Sequence, residues 1–183
     1  MRYKYENFLK AEQFATLKDV VTSDGFAWYA RVGAVGAEYS EKTKDDKDPA
    51  FSNVLCNQYG PTRQEFEYAV PILDRLDTRA VLRVKANLDL PNKNGKVLEP
   101  EAFHTDLDVH GPCIWSLILY LNDCNGATIF EEDMAPVKSK ANRAIIFPIA
   151  MSHSGCHQTD VPFRYLINVN FLAPKLPEGG QEF

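Results

Sequence analysis

The sequence predicts a mainly β protein with helices in its N-terminal third: an antiparallel sandwich, barrel or jelly roll. Three observations carry that prediction. Apolar spacing follows a helical period before residue 80 and a strict period of two after it. Short strand-like runs then recur, separated by Gly, Pro and Asn turns. The roughly 100 residues after position 80 hold about eight strands of ~5–6 residues with loops of ~4–6.

The elements follow in order. Phe8, Ala11, Phe14, Ala15, Leu17 and Val21 predict one amphipathic helix, and Phe26–Ala30 a short strand. Residues 38–48 hold five acids and three lysines and close at Pro49, which reads as a solvated loop and a candidate lid. Phe66, Ala69, Val70, Leu73 and Leu76 predict a second helix. Thr62 and Glu65 are spaced as a capping box, and Pro71 kinks the helix or delays its start. Residues 1–79 are therefore expected to be a helical and irregular extension packed on the core. From Val81 to Leu90, Leu82, Val84, Ala86, Leu88 and Leu90 alternate with Arg83, Lys85, Asn87 and Asp89, as on a half-buried strand. Cys113–Leu121 is almost continuously apolar and predicts a strand buried on both faces. Ala127–Phe130, Arg143–Phe147 and Arg164–Phe171 complete the series.

Composition excludes several classes. The chain has 183 residues, 45% hydrophobic and 25% charged, enough for one domain with its own core. A net charge of −5 disfavours indiscriminate nucleic-acid binding. No apolar run reaches the ~20 residues of a membrane helix, and Met1–Glu6 leads into no signal-peptide core. Cys56, Cys113, Cys124 and Cys156 form no CxxC pair, so reduced thiols in a cytoplasmic protein are expected. Oligomeric state leaves no signal.

The chemistry-bearing residues begin at Phe103-His104-Thr105-Asp106. On a strand, positions i and i+2 share a face, so His104 and Asp106 converge. His153 comes 47 positions after Asp106, and Arg164 comes 11 after His153. Two histidines and a carboxylate on one side of a metal make the facial triad of non-haem Fe(II) oxygenases. His157 has the same parity as His153 and is its rival as second histidine. In the last strand Arg164, Leu166, Asn168 and Asn170 oppose the apolar Tyr165, Ile167, Val169 and Phe171. An arginine and two asparagines facing a barrel interior imply something polar bound there.

In this ordered set the sequence resembles the 2-oxoglutarate and Fe(II)-dependent dioxygenases, over about residues 80–173. Leu119-Tyr120-Leu121-Asn122 looks like the tyrosine strand of their prolyl 4-hydroxylase-like branch. Asn125–Glu131, Ala141-Asn142-Arg143, Phe147-Pro148, Arg83–Leu88 and Arg164-x3-Asn168-x2-Phe171 are similar to small phage and marine-bacterial oxygenases. The resemblance implies a double-stranded β-helix (jelly roll, cupin-like) as catalytic core over 80–183, one structural domain overall with 1–79.

The resemblance further implies Fe(II) held by His104, Asp106 and His153, the family spacing to Arg164 favouring His153 over His157. It implies 2-oxoglutarate bound through Arg164, with Tyr120 and Asn87 assisting, and ascorbate as a possible reductant. The implied activity is hydroxylation, with dioxygen, of a peptidyl or small amino-acid-like substrate. Position 170 is Asn, where nucleobase demethylases carry a second arginine, which disfavours that subclass. The alternative is a metal-binding cupin-like isomerase or binding module, but such sites usually use three histidines and a glutamate. Asp108 and His110 are expected at the mouth of the site, and Cys156 as a packed thiol.

Overall fold

The computed structural model describes residues 1–31, 50–109 and 111–183. The charged stretch 38–48, expected as a loop and candidate lid, and His110 lie outside the described residues. In chain order the strands are β1 (Tyr3–Tyr5), β2 (Tyr29–Arg31), β3 (Ala50–Asn57), β4 (Gly60–Pro61), β5 (Ala80–Asp89), β6 (Ile114–Tyr120), β7 (Ala127–Phe130), β8 (Pro136–Lys138), β9 (Ala144–Pro148), β10 (His153–Cys156), β11 (Arg164–Leu172) and β12 (Gln181–Glu182). Helices α1 (Ala11–Thr22) and α2 (Val70–Leu76) lie before β5. Among the described residues no helix is long and apolar enough to cross a membrane.

The strands form two antiparallel sheets, one of nine strands ordered β12-β1-β9-β6-β11-β5-β3-β2, with β4 beside β3, and one of three ordered β10-β7-β8. From β5 onward the chain alternates between them: β5 and β6 in the large sheet, β7 and β8 in the small one, then β9, β10 and β11 by turns. Between β5 and β6 the chain touches β10 through the bridges Pro100 to Cys156 and His104 to His153. That alternation wraps the chain into a jelly roll, as expected.

Side-chain alternation sorts the core into two layers. Leu117 and Leu119 of β6, Val84 and Ala86 of β5, and Ile167, Val169 and Phe171 of β11 pack outward against Leu17 and Val21 of α1 and Ile72 and Leu76 of α2. Ile118 and Tyr120 of β6, Ile145 and Phe147 of β9, and Leu166 of β11 pack inward with Phe130 and Val137 of the small sheet. The apolar run of β6 is thus buried on both faces because helices cover one face and the second sheet the other.

Three N-terminal expectations change. The first 79 residues are not only helical and irregular: β1 inserts between β9 and β12, and β3 pairs with β5 along most of its length. The short strand near Phe26–Ala30 forms later, at Tyr29–Arg31. The Thr62–Glu65 capping box does not form, since the Thr62 hydroxyl donates to the Val54 carbonyl at 2.6 Å. Residues 64–69 make a 3-10 turn, and the α-helix starts at Val70 with Pro71 in its first turn, where a missing N–H costs nothing.

Candidate active site

The site begins with a backbone exchange. The His104 N–H donates to the His153 carbonyl at 3.0 Å, and the His153 N–H returns a bond to the His104 carbonyl at 3.0 Å. An antiparallel pair bonded this way puts both side chains on one side. The two rings lie 4.7 Å apart between centroids. Each Nδ1 faces a backbone carbonyl, Ala102 at 3.2 Å for His104 and Met151 at 3.1 Å for His153. A carbonyl only accepts, so the neutral ring carries its proton on Nδ1 and leaves the Nε2 lone pair for the site. His153 is buried between the His104 and Phe147 rings. Burial pushes its pKa below the ordinary value, against the pull of Asp106, which favours the neutral form that binds metals.

Asp106 completes the group: one ligand atom from each of His104, Asp106 and His153 lies within 4.8 Å of the others. Its carboxylate is clamped by four side chains of the large sheet. Oδ1 accepts from Arg83 Nη2 at 3.2 Å and Asn168 Nδ2 at 2.9 Å; Oδ2 accepts from the Ser116 hydroxyl at 2.6 Å and Asn170 Nδ2 at 3.0 Å. Arg83 Nε also donates to Asn170 Oδ1 at 3.0 Å, which fixes the amide so that its NH2 points at Asp106. Burial alone would raise the carboxyl pKa; the His153 ring when it carries a proton, the Arg83 guanidinium and the Ser116 hydroxyl overcome it and hold the group ionised well below the usual carboxylate range. The two asparagines that looked misplaced in a barrel interior are thus bonded to this carboxylate.

A cavity opens beside the triad. His104, Asp106, His153, Lys85, Asn87, Asp89, Glu101, Thr128, His157, Arg164 and Asn168 are its polar lining, and Phe51, Leu88, Leu90, Ile118 and Leu166 its apolar lining. Arg164 starts β11 and is fully buried, with its guanidinium carbon 5.4 Å from the Tyr120 ring centre. Its stem passes over Gly126, where a Cβ would come within 3.0 Å of Arg164 Cδ and 3.0 Å of the Cys156 carbonyl oxygen.

The expected assistants are placed unequally. Asn87 lines the cavity. Tyr120 does not: its hydroxyl donates to Thr128 Oγ1 at 2.8 Å, and Thr128 forms the cavity wall in front of it. Arg164 Nη2 also reaches Thr128 Oγ1, at 3.4 Å. Thr128 was missed because it lies in the apolar run Ala-Thr-Ile-Phe, where its inward position is set by sheet pairing. His157 lies apart from the triad. Its Nδ1 bonds the Leu90 carbonyl at 2.7 Å and its Nε2 meets Glu101 Oε1 at 2.8 Å. Cys156 is buried, and burial pushes its thiol pKa up to about 11.

Comparison with known proteins adds the fold's relatives. No family model and no curated protein matches the sequence. Among solved structures, a 2OG-Fe(II) oxygenase family oxidoreductase from Burkholderia pseudomallei is similar with a TM-score of 0.69 at 11% identity, covering 96% of this chain and 87% of that one. A Pseudomonas putida prolyl-4-hydroxylase is similar with a TM-score of 0.56 at 13% identity, covering 94% and 92%. The chain has the fold of the 2OG-Fe(II) oxygenases. That fold, the double-stranded β-helix, is the one expected from the resemblance. It carries more than one reaction. The epimerase SnoN, solved with Fe3+, alpha ketoglutarate and nogalamycin RO, is similar with a TM-score of 0.60 at 11% identity, covering 99% of this chain and 87% of that one.

Proposed function

We propose that the chain is an Fe(II)/2-oxoglutarate-dependent oxygenase that hydroxylates a peptidyl or small amino-acid-like substrate. One observation carries the reading: two imidazoles whose Nε2 atoms have no hydrogen-bond partner among the described residues converge with one ionised carboxylate at a cavity that also holds a buried guanidinium. The donor set fits iron, because two neutral nitrogens and one charged oxygen on one side leave positions for other ligands. His104, Asp106 and His153 would hold the ion, and iron there supplies the redox chemistry that couples 2-oxoglutarate decarboxylation to substrate oxidation.

The remaining residues bind and orient. Arg164, planar and always charged, receives the far carboxylate of 2-oxoglutarate, and Thr128 adds a hydroxyl at that end. Tyr120 acts through Thr128 by fixing that hydroxyl's orientation. Asn87 offers an amide to the chain of the cosubstrate or to the substrate. Arg83, Ser116, Asn168 and Asn170 keep the Asp106 carboxylate aimed. No side chain of the cavity needs to act as a strong base, since the demand on the protein is position and charge.

The test is a substrate-independent turnover. Purified protein given Fe(II), ascorbate and dioxygen converts 2-oxoglutarate to succinate, and a screen of peptides and amino acids then finds the compound that accelerates it with a mass gain of one oxygen. Succinate formation equal to that of a His153→Ala control would defeat the reading. An accelerating compound that changes configuration without gaining oxygen would replace hydroxylation by epimerisation.

A further inference from the structure

Asp89 and Arg164 are direct cross-strand neighbours in the β5–β11 register. Arg164 Nη1 donates to Asp89 Oδ2 at 2.8 Å. The two ends of this ion pair are unequally covered: the arginine side chain is 1% exposed and the aspartate 23%. Asp89 therefore meets the guanidinium from the solvent-facing side. It also holds it by one prong. A guanidinium carries five N–H donors in a fork. Here, among the described residues, Nε is buried without a hydrogen-bond partner, and Nη2 reaches only Thr128, at 3.4 Å.

His157 and Glu101 form a second ion pair lining the same cavity. A Cβ at Gly155 would lie 3.8 Å from Glu101 Oε2 and 3.9 Å from Arg164 Nη1, so the two pairs are close together. At these two pairs an added carboxylate meets two cations already matched by two anions, with Lys85 as a further cation of the lining.

We propose that Asp89 is a selectivity-determining residue that competes with the ligand's far carboxylate for Arg164. The inference rests on the 2-oxoglutarate reading of the cavity. A ligand carboxylate that grips the unfilled prongs of the fork gains a bidentate contact. It gains only the difference between that contact and the Asp89 bond it weakens. The far carboxylate therefore adds little net affinity, and a 2-oxoacid without it binds almost as well. Removing the Asp89 charge ends the competition and restores the full worth of the second carboxylate.

Equilibrium titration of the anaerobic Fe(II)-loaded protein, followed by calorimetry and by the charge-transfer absorbance, reads this directly. The probes are 2-oxoglutarate and 2-oxovalerate, which has the same carbon chain with a methyl in place of the far carboxylate. The wild type is expected to favour 2-oxoglutarate by no more than about tenfold, where an uncontested buried charge pair would give 10²-fold or more. Asp89→Asn is expected to bind 2-oxoglutarate at least about tenfold tighter while 2-oxovalerate changes by less than about threefold. A larger wild-type preference, or an Asp89→Asn protein that binds 2-oxoglutarate no tighter, overturns the proposal. If Asp89→Asn does not fold, Asp89→Ser and the wild-type ratio decide. A wild type that binds neither 2-oxoacid overturns the oxygenase reading itself, a result distinct from an unchanged variant.

Discussion

His104 and His153 exchange two backbone hydrogen bonds while each turns its Nδ1 onto a carbonyl two residues earlier in its own chain segment. The hydrogen bond that fixes each tautomer is thereby made to main chain, while the His104 and Phe147 rings pack against His153. The pair is a preformed two-nitrogen site to which Asp106 adds the charge.

His153→Ala removes a proposed ligand and should reduce Fe(II) or Co(II) affinity by more than the ~10–100-fold that loss of an outer partner costs. His157→Ala should leave it within about threefold, since His157 is bonded to Leu90 and Glu101. Anaerobic calorimetry on both variants measures this. A loss in His157→Ala with His153→Ala spared would place the second nitrogen at residue 157.

Asn168→Ala and Ser116→Ala each delete one donor to Asp106. Metal affinity should fall by about tenfold in each, with the Co(II) visible spectrum broadened as the carboxylate loosens. The clamp also sets a pH response. A carboxyl held below its ordinary pKa contributes stability above the unfolded carboxylate range, and that contribution is lost as pH falls through the lower folded value. Acid unfolding of Asn168→Ala should therefore begin at a higher pH than that of the wild type.

His157 responds in the opposite direction. The Glu101 hydrogen bond, aided by Asp89 and the Leu90 carbonyl and opposed by burial, pushes its pKa up to about 9. A raised histidine contributes stability in full below its unfolded value near 6.5 and loses it as pH rises through about 9. Glu101→Gln should lower the His157 pKa in an NMR titration and flatten the fall in melting temperature between pH 7 and pH 10. An unchanged His157 titration would show that Glu101 does not hold the proton.

Tyr120→Phe removes the hydroxyl bonded to Thr128. The expected cost is about 0.5–1.5 kcal/mol of stability, with a loss of 2-oxoglutarate affinity smaller than that of Arg164→Ala. Arg164→Ala leaves Asp89 facing the ligand without a cation and should weaken 2-oxoglutarate by at least about tenfold with metal affinity intact. A Tyr120→Phe loss equal to that of Arg164→Ala would mean that the hydroxyl touches the ligand directly.

Gly126→Ala places a methyl against Arg164 Cδ and the Cys156 carbonyl, both at 3.0 Å. Backbone cannot retreat cheaply, so a cost of about 1–3 kcal/mol is expected, with 2-oxoglutarate binding weakened and metal binding spared. Chemical denaturation and the same titrations check both halves.

The sequence carried much of this site where a local pattern existed. The alternation of β11 showed which of its side chains face inward, and Arg164, Asn168 and Asn170 were legible as interior polar groups, whereas β5 read only as a half-buried strand although its polar Lys85, Asn87 and Asp89 line the cavity. Their partners were not. That Arg164 meets Asp89, and that Asn168, Asn170 and Arg83 all converge on Asp106, depends on cross-strand register, which is a property of two distant segments and leaves no trace in either. Strand β3 escaped notice because Ala50–Asn57 mixes polar and apolar residues without alternation, and it is bulged where it pairs with β5. Strand β10 escaped because His-Ser-Gly-Cys has the composition of a turn.

The Asp106 carboxylate takes its hydrogen bonds from β5, β6 and β11 of the large sheet, whereas His153 belongs to the small sheet. An ion held by both is therefore a stitch across the seam of the jelly roll. Pulling the two sheets apart, by heat or by force, has to tear that stitch. The grip on such an ion and the mechanical integrity of the three-stranded flap would then be one quantity, and chelation of the metal-loaded protein should quicken amide exchange in β7, β8 and β10 while leaving β6 and β11 nearly as slow as before.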